Sequence, residues 1–402
     1  MRENWTYKKL GEVTTTINGL WTGKKPPFIN VAVVRNTNFT KDCKLDMTNI
    51  AYLDVEQKQY NSRKLFPGDI IIEKSGGSDK QPVGRPVLFD IPDGEYSFSN
   101  FTSTLRIKNA DEVIPQFLHY VLYGAYLRGE TFKLQSKTTG IHNLDFKGYN
   151  RLPIPVPSLS EQQSIVAELD KINELISLKK AQLSDLDSLA QSIFYDMFGD
   201  PIENEKGWEL KKFGDVVVSS QIGLIRSAKQ QGQDKAFAYF KMNNITISGD
   251  VDLSNLTKVD ACKEEQMKYI LKQGDFLFNT RNSYELVGKS CVYNLKDDNT
   301  TLYNNNLLRI IFDSTISPTY ISYLFKDKFI KKQLDSIKKG TTNVWAIYYK
   351  DLSKIKILAP PLSLQQEFAK RIELIEQQKA QISSTIKDLE TLLASRMQYW
   401  FD

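Results

Sequence analysis

The chain repeats itself, and this repeat limits what it can fold into more than any other feature of its 402 residues. Four segments of the first half return in the second half, in the same order and displaced by 203 or 204 residues. The pairs are Trp5-Thr-Tyr-Lys-Lys-Leu-Gly-Glu-Val13 with Trp208-Glu-Leu-Lys-Lys-Phe-Gly-Asp-Val216, Val83-Gly84-Arg85 with Val287-Gly288-Lys289, Leu105-Arg106-Ile107 with Leu308-Arg309-Ile310, and Pro157-Ser-Leu-Ser-Glu-Gln-Gln163 with Pro360-Pro-Leu-Ser-Leu-Gln-Gln366. The repeat predicts two similar units, which suit a target with two similar ends; duplex DNA is the commonest such target.

Each repeat is predicted to be a mixed α/β domain followed by one long helix. Strand-like runs such as Asp69-Ile-Ile-Ile72 are separated by turns that contain Gly, Pro and Asn. Between Ser160, the expected N-cap, and Phe198 the chain has no Gly or Pro, which favours an uninterrupted helix. The predicted boundaries are 1–158 for the first domain, 159–198 for the central helix, 199–361 for the second domain and 362–402 for the C-terminal helix.

Apolar residues recur along both predicted helices at spacings of three and four, the period of a coiled-coil seam. The seam residues are Ile165, Leu169, Ile172, Ile176, Leu183, Leu186 and Ile193 in the first helix, and Phe368, Ile372, Ile375, Ile382, Ile386, Leu389 and Leu393 in the second. Two such helices in one duplicated chain are most simply buried by antiparallel pairing, which would leave the two domains inverted at opposite ends. Binding of the seams to other proteins is the alternative.

The predicted fold class is therefore α+β, with two pseudo-two-fold-related mixed α/β domains joined by two long antiparallel coiled-coil helices. The net charge of +5 divides unevenly over this plan. Residues 1–158 carry 21 Lys and Arg against 16 Asp and Glu, and residues 201–361 carry 24 against 18. Residues 159–200 carry only 3 against 8, and residues 362–402 carry 5 against 6. Basic domains on acidic helices fit domains that contact phosphates, although ordinary surface variation is an equal alternative.

Cysteine usage and hydropathy indicate a cytoplasmic protein. The three cysteines, Cys43, Cys262 and Cys291, are scattered and odd in number, which argues against a disulfide framework. The sequence has no run of eighteen apolar residues and no apolar stretch behind its basic N-terminus, so neither a membrane span nor a secretory signal is expected.

The sequence offers no recognisable catalytic set. Lys25-Pro-Pro-Phe28 is similar to a loop of amino-methyltransferases, but Lys25 replaces the polar residue that would hold the target amino group. Asp69 and Glu73-Lys74 are similar to a nuclease acidic pair without the required Glu-x-Lys spacing. There is no phosphate-binding glycine loop and no His/Cys cluster with metal-ligand spacing, so no cofactor or metal is expected in this chain.

Polar loops at matched places in the two repeats differ in sequence, which predicts two different recognition surfaces on one framework. Arg, Asn, Gln, Ser and Thr read base edges, whereas Lys and backbone amides position phosphates. For any single residue, an ordinary solvated loop is the alternative. The candidates for DNA contact are Arg35, Asn36, Lys74, Ser75, Gly76, Gly77, Ser78, Lys80, Gln81, Arg85, Lys137, Thr138, Thr139, His142 and Asn143 in the first repeat, and Asn243, Thr280, Arg281, Asn282, Ser283, Lys289, Thr341, Thr342, Asn343 and Trp345 in the second.

Over its whole length the chain resembles the specificity subunit of type I restriction–modification systems. The resemblance lies in the repeated tryptophan segments, the Pro-x-x-x-Glu-Gln pattern ahead of each long helix, and the hinge that joins the repeats. Further marks are Pro67-Gly-Asp-Ile70, Leu152-Pro-Ile-Pro-Val-Pro157, Phe198-Gly-Asp-Pro201 and Gln273-Gly-Asp275. One departure is Leu364, which replaces the Glu found at position 161 and is expected to weaken a local cap contact.

This resemblance implies two target-recognition domains, each reading one half of a split site in double-stranded DNA. It also implies that the helices dock two methyltransferase subunits and, through them, the restriction subunits. S-adenosylmethionine, ATP and Mg²⁺ then belong to those partners, and the chain itself is not an enzyme. Two competing classes are a methyltransferase or nuclease with its own active site, and a sequence-specific repressor that needs no partners for full affinity.

Overall fold

The computed structural model describes residues 4–21, 23, 25–78, 81–138, 141–295 and 300–402. The chain divides into two compact units, and each unit contains residues from both halves of the sequence. Unit 1 comprises Met1–Lys180 together with Ser384–Asp402, and unit 2 comprises Ala181–Ser383. Each unit therefore contains one globular domain and a segment of each of the two long helices.

The described part of unit 1 contains eleven strands. These are β1 (Thr6–Lys9), β2 (Thr14–Asn18), β3 (Phe28–Val34), β4 (Ala51–Glu56), β5 (Asp69–Glu73), β6 (Pro86–Phe89), β7 (Tyr96–Phe98), β8 (Thr102–Ile107), β9 (Gln135–Thr138), β10 (Ile141–Leu144) and β11 (Pro153–Val156). Its helices are α1 (Leu10–Val13), α2 (Gln57–Arg63), α3 (Pro115–Leu127), α4 (Phe146–Tyr149) and the first part of α5 (Leu159–Phe198), with 3-10 turns at Asn36–Asn38 and Glu130–Leu134.

Unit 2 repeats this list with thirteen described strands. They are β12 (Glu209–Lys212), β13 (Val217–Ile222), β14 (Gln231–Gly232), β15 (Phe237–Phe240), β16 (Thr257–Val259), β17 (Asp275–Asn279), β18 (Arg281–Asn282), β19 (Ser290–Tyr293), β20 (Thr301–Tyr303), β21 (Leu307–Phe312), β22 (Lys339–Thr341), β23 (Val344–Ala346) and β24 (Lys356–Ala359). Its helices are α6 (Lys263–Tyr269), α7 (Pro318–Leu324), α8 (Lys328–Ile337), α9 (Tyr349–Leu352) and α10 (Leu362–Phe401), which continues into unit 1, with 3-10 turns at Phe213–Val216, Ala228–Gln230 and Met242–Asn244.

The sheets show that the two domains share one topology. A four-stranded antiparallel sheet has the order β2-β8-β5-β6 in unit 1 and β13-β21-β17-β19 in unit 2. A second sheet pairs β3 with β7 in parallel in unit 1, and β15 with β20 in parallel in unit 2. A two-stranded ribbon closes each domain, β1 with β11 and β12 with β24. The predicted mixed α/β class and the predicted repeat are confirmed.

One of the four sequence matches is not a structural match. Ile70 pairs with Leu105 in unit 1, and Phe276, which stands at the place of Ile70, pairs with Ile310 in unit 2. Leu105 therefore corresponds to Ile310 and not to Leu308, so the Leu-Arg-Ile alignment is wrong by two residues. Both arginines nevertheless reach the equivalent aspartate: Arg106 Nη2 lies 2.7 Å from Asp69 Oδ2, and Arg309 Nη1 lies 3.6 Å from Asp275 Oδ2.

A buried glutamine fixes the start of each long helix to its own domain. Gln162 is fully buried; its Nε2 donates to Glu112 O at 2.8 Å and Pro157 O at 2.9 Å, and its Oε1 accepts from Ile114 N at 2.9 Å. Because Glu112 and Ile114 immediately precede α3, these contacts tie the start of α5 to the short helix of the domain. The α5 helix begins at Leu159, and Ser158 Oγ accepts from Glu161 N, so the expected N-cap at Ser160 is wrong by two residues.

The second repeat copies this clamp. Gln365 is also fully buried; its Nε2 donates to Pro360 O at 2.8 Å and to Thr315 O at 3.1 Å, and its Oε1 accepts from Ser317 N at 2.8 Å. An identical side chain with three equivalent backbone partners explains why the first Gln of the repeated Gln-Gln pair is present in both motifs.

We expect Gln365→Leu to destabilise unit 2 by about 3 kcal/mol or more, because it leaves two carbonyl acceptors and one amide donor buried without partners. The measurement is hydrogen exchange of the amides in α7 and the start of α10. Gln366→Leu is the matched control, since Gln366 is exposed. Equal protection in the two variants would contradict the structural role of Gln365.

The Glu-to-Leu difference between the two motifs changes an indole contact. Trp5 Nε1 donates to Glu161 Oε1 at 3.0 Å. In unit 2 the equivalent Trp208 Nε1 donates instead to Phe198 O, the last residue of α5, at 2.7 Å. The prediction that Leu364 weakens a local cap is therefore wrong. The Glu161 carboxylate accepts a hydrogen bond from Trp5, which is distant in the sequence, and the indole of Trp208 donates to a backbone carbonyl instead.

The long helices contact each other within unit 1 in antiparallel order. Arg396 forms an ion pair with Glu168, and Trp400 Nε1 donates to Glu168 Oε2 at 3.1 Å. Further along, Lys180 Nζ lies 3.1 Å from Glu390 Oε1. The ring of Trp400 also stacks on Trp5 with centroids 6.4 Å apart. The end of the chain is thus packed against its beginning.

Unit 2 contains the corresponding antiparallel contact. The ring of Phe368 lies 5.7 Å from that of Phe194 and 5.3 Å from that of Phe198. Lys379, a charged interruption of the seam, lies 2.8 Å from Asp187 and 3.6 Å from Asp250. Burial would lower the pKa of this lysine, but its carboxylate partners raise it above the ordinary value.

The predicted seam is covered, whereas the opposite faces of the helices are exposed. Ten of the fourteen seam residues are buried, and Leu183, Leu186, Ile193 and Leu389 are half-buried. Phe194, one position away from the seam, is fully buried among the aromatic residues of unit 2. The predicted inversion of the two domains about a two-fold axis, and the predicted domain boundaries, stay predictions.

Candidate nucleic-acid interface

In unit 1 the fold brings together three predicted loops that are far apart in the sequence. Ser75 Oγ donates to Asn143 Oδ1 at 2.6 Å, and Gly76 N donates to His142 O at 3.1 Å. Asn36 Nδ2 donates to Ser75 O at 3.4 Å, which joins the 3-10 turn after β3 to the same cluster. The loop after β5 is therefore held between that turn and strand β10.

This cluster leaves polar groups at the surface. Arg35, Gly76 and Ser78 are exposed, and Lys74, Ser75, Gly77, Gln81 and Asn143 are half-buried, whereas His142 is buried. Partial burial lowers the pKa of Lys74 from its ordinary value. Lys80 and Thr139 lie outside the described residues, as do the side chains of Lys137 and Thr138.

Asn18, Arg63 and Phe101 also belong to this surface, and the sequence did not predict them. Asn18 Oδ1 accepts from Lys74 Nζ at 3.4 Å and from Ser103 Oγ at 3.2 Å, and Arg63 Nε donates to Asn18 O at 3.0 Å. Phe101 is 44% exposed beside Lys74 and Ser75. Only the pairing of β2 with β8 places Asn18 here, and no local sequence signal predicts that contact.

The basic residue that both repeats carry in the Val-Gly-Arg/Lys motif has partners inside its own unit. Arg85 is buried; its Nε lies 2.7 Å from Glu73 Oε2, and its guanidinium donates to Phe39 O and Asn36 O. The half-buried Lys289 bonds to the carbonyls of Met242 and Ile245, which stand at the equivalent places in unit 2. Burial lowers the pKa of Lys289. The structure therefore gives both side chains partners within their own unit, and their predicted contact with DNA stays a prediction.

In unit 2 two predicted loops form one small sheet. Arg281 pairs with Ala346 and Asn282 with Trp345 between β18 and β23, and β22 continues the sheet on the other side. Of the predicted residues in unit 2, five are exposed: Asn243, Arg281, Thr341, Thr342 and Asn343. Four are half-buried: Thr280, Asn282, Ser283 and Trp345. An exposed arginine with Thr and Asn around it can both hold a phosphate and read a base edge.

Two of these side chains are already engaged within the unit. Asn282 Nδ2 donates to Asn279 Oδ1 at 2.9 Å, and Asn282 Oδ1 accepts from Ser283 N at 2.9 Å. The ring of Trp345 meets the edge of Tyr284 with centroids 4.9 Å apart, and Lys338 Nζ lies 4.2 Å from the Tyr284 ring centre. Asn282 and Trp345 thus shape the surface on which Arg281 and Asn343 are presented.

The described residues contain no group of three or more His, Cys, Asp or Glu side chains arranged to hold a metal ion. His119 Nε2 lies 3.2 Å from Cys43 O inside unit 1, and burial lowers the pKa of this histidine to about 4. Within the same residues, no helix is both long enough and apolar enough to span a bilayer.

Comparison with known proteins matches both repeats to one family. The model of the type I restriction modification DNA specificity domain matches residues 2–187 and again residues 205–391. The chain is 25% identical over 390 residues to the EcoKI specificity subunit of Escherichia coli K12, an alignment that covers 92% of this chain and 82% of that protein. It is 26% identical over 400 residues to the StySPI specificity subunit of Salmonella potsdam, with the same two coverages.

Solved structures show the same fold at lower sequence identity. The type I restriction–modification S subunit from M. genitalium has a TM-score of 0.54 at 14% identity and covers 99% of this chain and 96% of its own. A chain from work on complex assembly and conformational transition of the type I R-M system also has a TM-score of 0.54, at 20% identity, and covers 100% of this chain and 98% of its own. With two matching domains and the predicted resemblance confirmed, this chain belongs to the family of type I restriction–modification DNA specificity subunits.

Proposed function

We propose that this chain selects the DNA site of a type I restriction–modification complex, with each unit reading one half of a bipartite site in double-stranded DNA. One observation carries the proposal: the two units share a framework down to equivalent backbone contacts, while their surface clusters differ. The cluster of unit 1 presents Arg35, Lys74, Ser75 and Asn143. The corresponding cluster of unit 2 presents Thr280, Arg281 and Asn343. One architecture with two chemistries suits two unlike half-sites.

The test is to produce the chain with the methyltransferase subunits of its own host and to sequence the methylation of the DNA. We expect one split motif of two unlike half-sites separated by unread base pairs. A repressor would leave no methylation motif, and a continuous, undivided motif would contradict one half-site per unit.

We propose that the exposed faces of the long helices dock two methyltransferase subunits and, through them, the restriction subunits. Leu392 is 45% exposed in unit 1, and Leu189, 203 residues earlier at the same place of the repeat, is 48% exposed in unit 2. Two equivalent apolar positions on opposite members of the helix pair suit two copies of one partner. Burying such a leucine contributes about 2 kcal/mol.

We expect Leu392→Glu to remove one methyltransferase copy and Leu189→Glu to remove the other, each by weakening its contact at least about 30-fold. Native mass spectrometry of the complex measures the change, which should be from two copies to one. Ser188→Glu and Thr391→Glu are matched controls, because both residues are exposed neighbours at equivalent places. Two copies bound to both leucine variants would place the docking surface elsewhere.

The chemistry of the complex then belongs to the partners. S-adenosylmethionine supplies the methyl group, and ATP with Mg²⁺ drives restriction, in those other subunits. Purified chain alone is expected neither to methylate nor to cut DNA, and methyl transfer by chain proven free of partners would overturn this. What the chain contributes is the position of the DNA.

A further inference from the structure

Two homologous turns carry an asparagine at the same place. The first turn, residues 99–102, joins β7 to β8, and the second, residues 304–307, joins β20 to β21. Each begins with a bond to the neighbouring parallel strand, from Ser99 N to Val34 O and from Asn304 N to Phe240 O, both 2.9 Å. Each closes on its own first carbonyl, through Thr102 N at 3.0 Å and Leu307 N at 2.9 Å. The second residue of the turn is Asn100 in unit 1 and Asn305 in unit 2.

The fold explains other repeated asparagines but not these two. Asn38 and Asn244 are buried, and both ends of each amide bond to backbone groups. Asn100 is half-buried, and among the described residues its amide makes no hydrogen bond. Asn305 is also half-buried, and within the described part of the chain its amide makes one hydrogen bond, in which Oδ1 accepts from Asn304 Nδ2 at 3.2 Å.

Backbone conformation does not explain them either. Asparagine is often kept where a residue must adopt a left-handed conformation. Among the described non-glycine residues, only Cys43 and Asn204 have a positive φ. Neither Asn100 nor Asn305 is needed for its turn, so their agreement between two repeats with diverged loops points to what the side chains contact outside the chain.

Both turns lie inside the candidate interface. Phe101 O, next to Asn100, accepts from Lys74 N at 2.9 Å and from Ser75 N at 3.0 Å. Asn306 O, next to Asn305, accepts from Thr280 N at 2.9 Å and from Thr280 Oγ1 at 3.1 Å. The asparagines are therefore adjacent to the loops that follow β5 and β17.

The backbone of each turn packs closely against a glycine, Gly19 in unit 1 and Gly223 in unit 2. A Cβ on Gly19 would lie 1.9 Å from Ser99 O, and a Cβ on Gly223 would lie 2.3 Å from Tyr303 O and 2.5 Å from Asn304 O. Only glycine allows the backbone to approach so closely, and a turn held this way presents its side chain at a fixed position.

We propose that Asn100 and Asn305 are specificity-determining residues, each reading one adenine in the half-site of its own unit. This rests on the proposed function. A carboxamide places one acceptor and one donor side by side, which matches N6–H and N7 of adenine in the major groove. In Asn305 the bond from Asn304 occupies one lone pair of Oδ1 and leaves the second lone pair and both amide hydrogens available.

The experiment sequences methylation motifs of the chain produced with its host methyltransferase subunits. Asn305→Ala should reduce discrimination for adenine at one position of one half-site by roughly 5- to 150-fold, with the other half-site and the spacer unchanged. Asn100→Ala should do the same in the other half-site. Asn305→Asp, which keeps the shape but removes the donor, should shift the preference at that position toward cytosine.

Asn255→Ala is the matched control, because Asn255 is an exposed asparagine of unit 2 and bonds only to the neighbouring Ser254. Gly223→Ala should displace the turn and weaken the same position as Asn305→Ala. A wild-type motif retained by both Asn305 variants would overturn the inference, as would equal loss at every position. Absence of any split motif from the wild-type chain would instead contradict the proposed function.

Discussion

Removal of residues 396–402 is expected to unfold unit 1 and leave unit 2 folded. The last turns of α10 supply Met397, which is 2% exposed, and the ring of Phe401, 5.8 Å from Phe117. They also supply Trp400, which stacks on Trp5 and bonds to Glu168. Loss of one large buried side chain costs about 2–5 kcal/mol. Loss of the buried Met397 together with the half-buried Trp400 and Phe401 therefore approaches the whole stability of a domain, about 5–15 kcal/mol.

Hydrogen exchange followed by mass spectrometry measures the two units separately in one sample. Amides of β5 and β8 in unit 1 should lose protection in the truncated chain, while those of β17 and β21 in unit 2 should keep theirs. Tyr399→Ala is the control, because Tyr399 is 56% exposed on the same turns. Equal loss of protection in both units would show that the terminus stabilises the chain as a whole and not unit 1.

Deletion of residues 180–186 is expected to abolish methylation at the original site and to create it at a site with a shorter spacer. Seven residues are one heptad, so the seam register of α5 is kept while the helix shortens by about 10 Å. This equals about three base pairs of rise at ~3.4 Å each. Because α10 keeps its length, part of the change is absorbed, and we expect the spacer to shrink by one or two base pairs.

The deletion removes the Lys180–Glu390 contact, but an exposed ion pair contributes less than about 1 kcal/mol. A two-residue deletion, 180–181, is the control: it leaves a spacing of five between Ile176 and the next seam leucine, so it breaks the seam register and should give an inactive chain. The readout is again the methylation motif of the complex. An active variant with an unchanged spacer would mean that the helices do not set it, and altered half-site bases would place recognition in the helices.

The long helices could be predicted because their signal is local and periodic. The seam residues of α5 and α10 can be recognised from their spacing of three and four alone. Most of these side chains are buried. The predicted start of α5 was wrong by two residues, because Ser158 and Ser160 are equally good caps from sequence alone. The role of Glu161 was also misjudged, since its partner Trp5 is 156 residues away.

The candidate interface could be predicted only in part. Sequence matching found the loops at Lys74 and Arg281 because they lie beside repeated motifs, but not their contacts, which strand pairing decides. Sequence matching also placed Arg85 at the surface. The charge of the residue alone does not reveal that Glu73 and two backbone carbonyls bind it in the interior of unit 1. Asn18, Asn100 and Asn305 were missed because an asparagine in a turn is ordinary until its backbone conformation and hydrogen bonds are known.

The division of the chain into units has a consequence for its synthesis. Unit 2 is complete when residue 383 has been made, whereas unit 1 needs residues 384–402, which are translated after all of unit 2. The domain that is translated first must therefore wait for its final helical segment while some 220 further residues are added, roughly 10–45 s at bacterial rates of about 5–20 residues per second. During that interval the apolar face formed by Phe117 and Trp5 has no Phe401 or Trp400 to cover it. We therefore expect the second repeat to finish folding first. The incomplete first repeat should be the part of the nascent chain that is most exposed to aggregation and proteolysis.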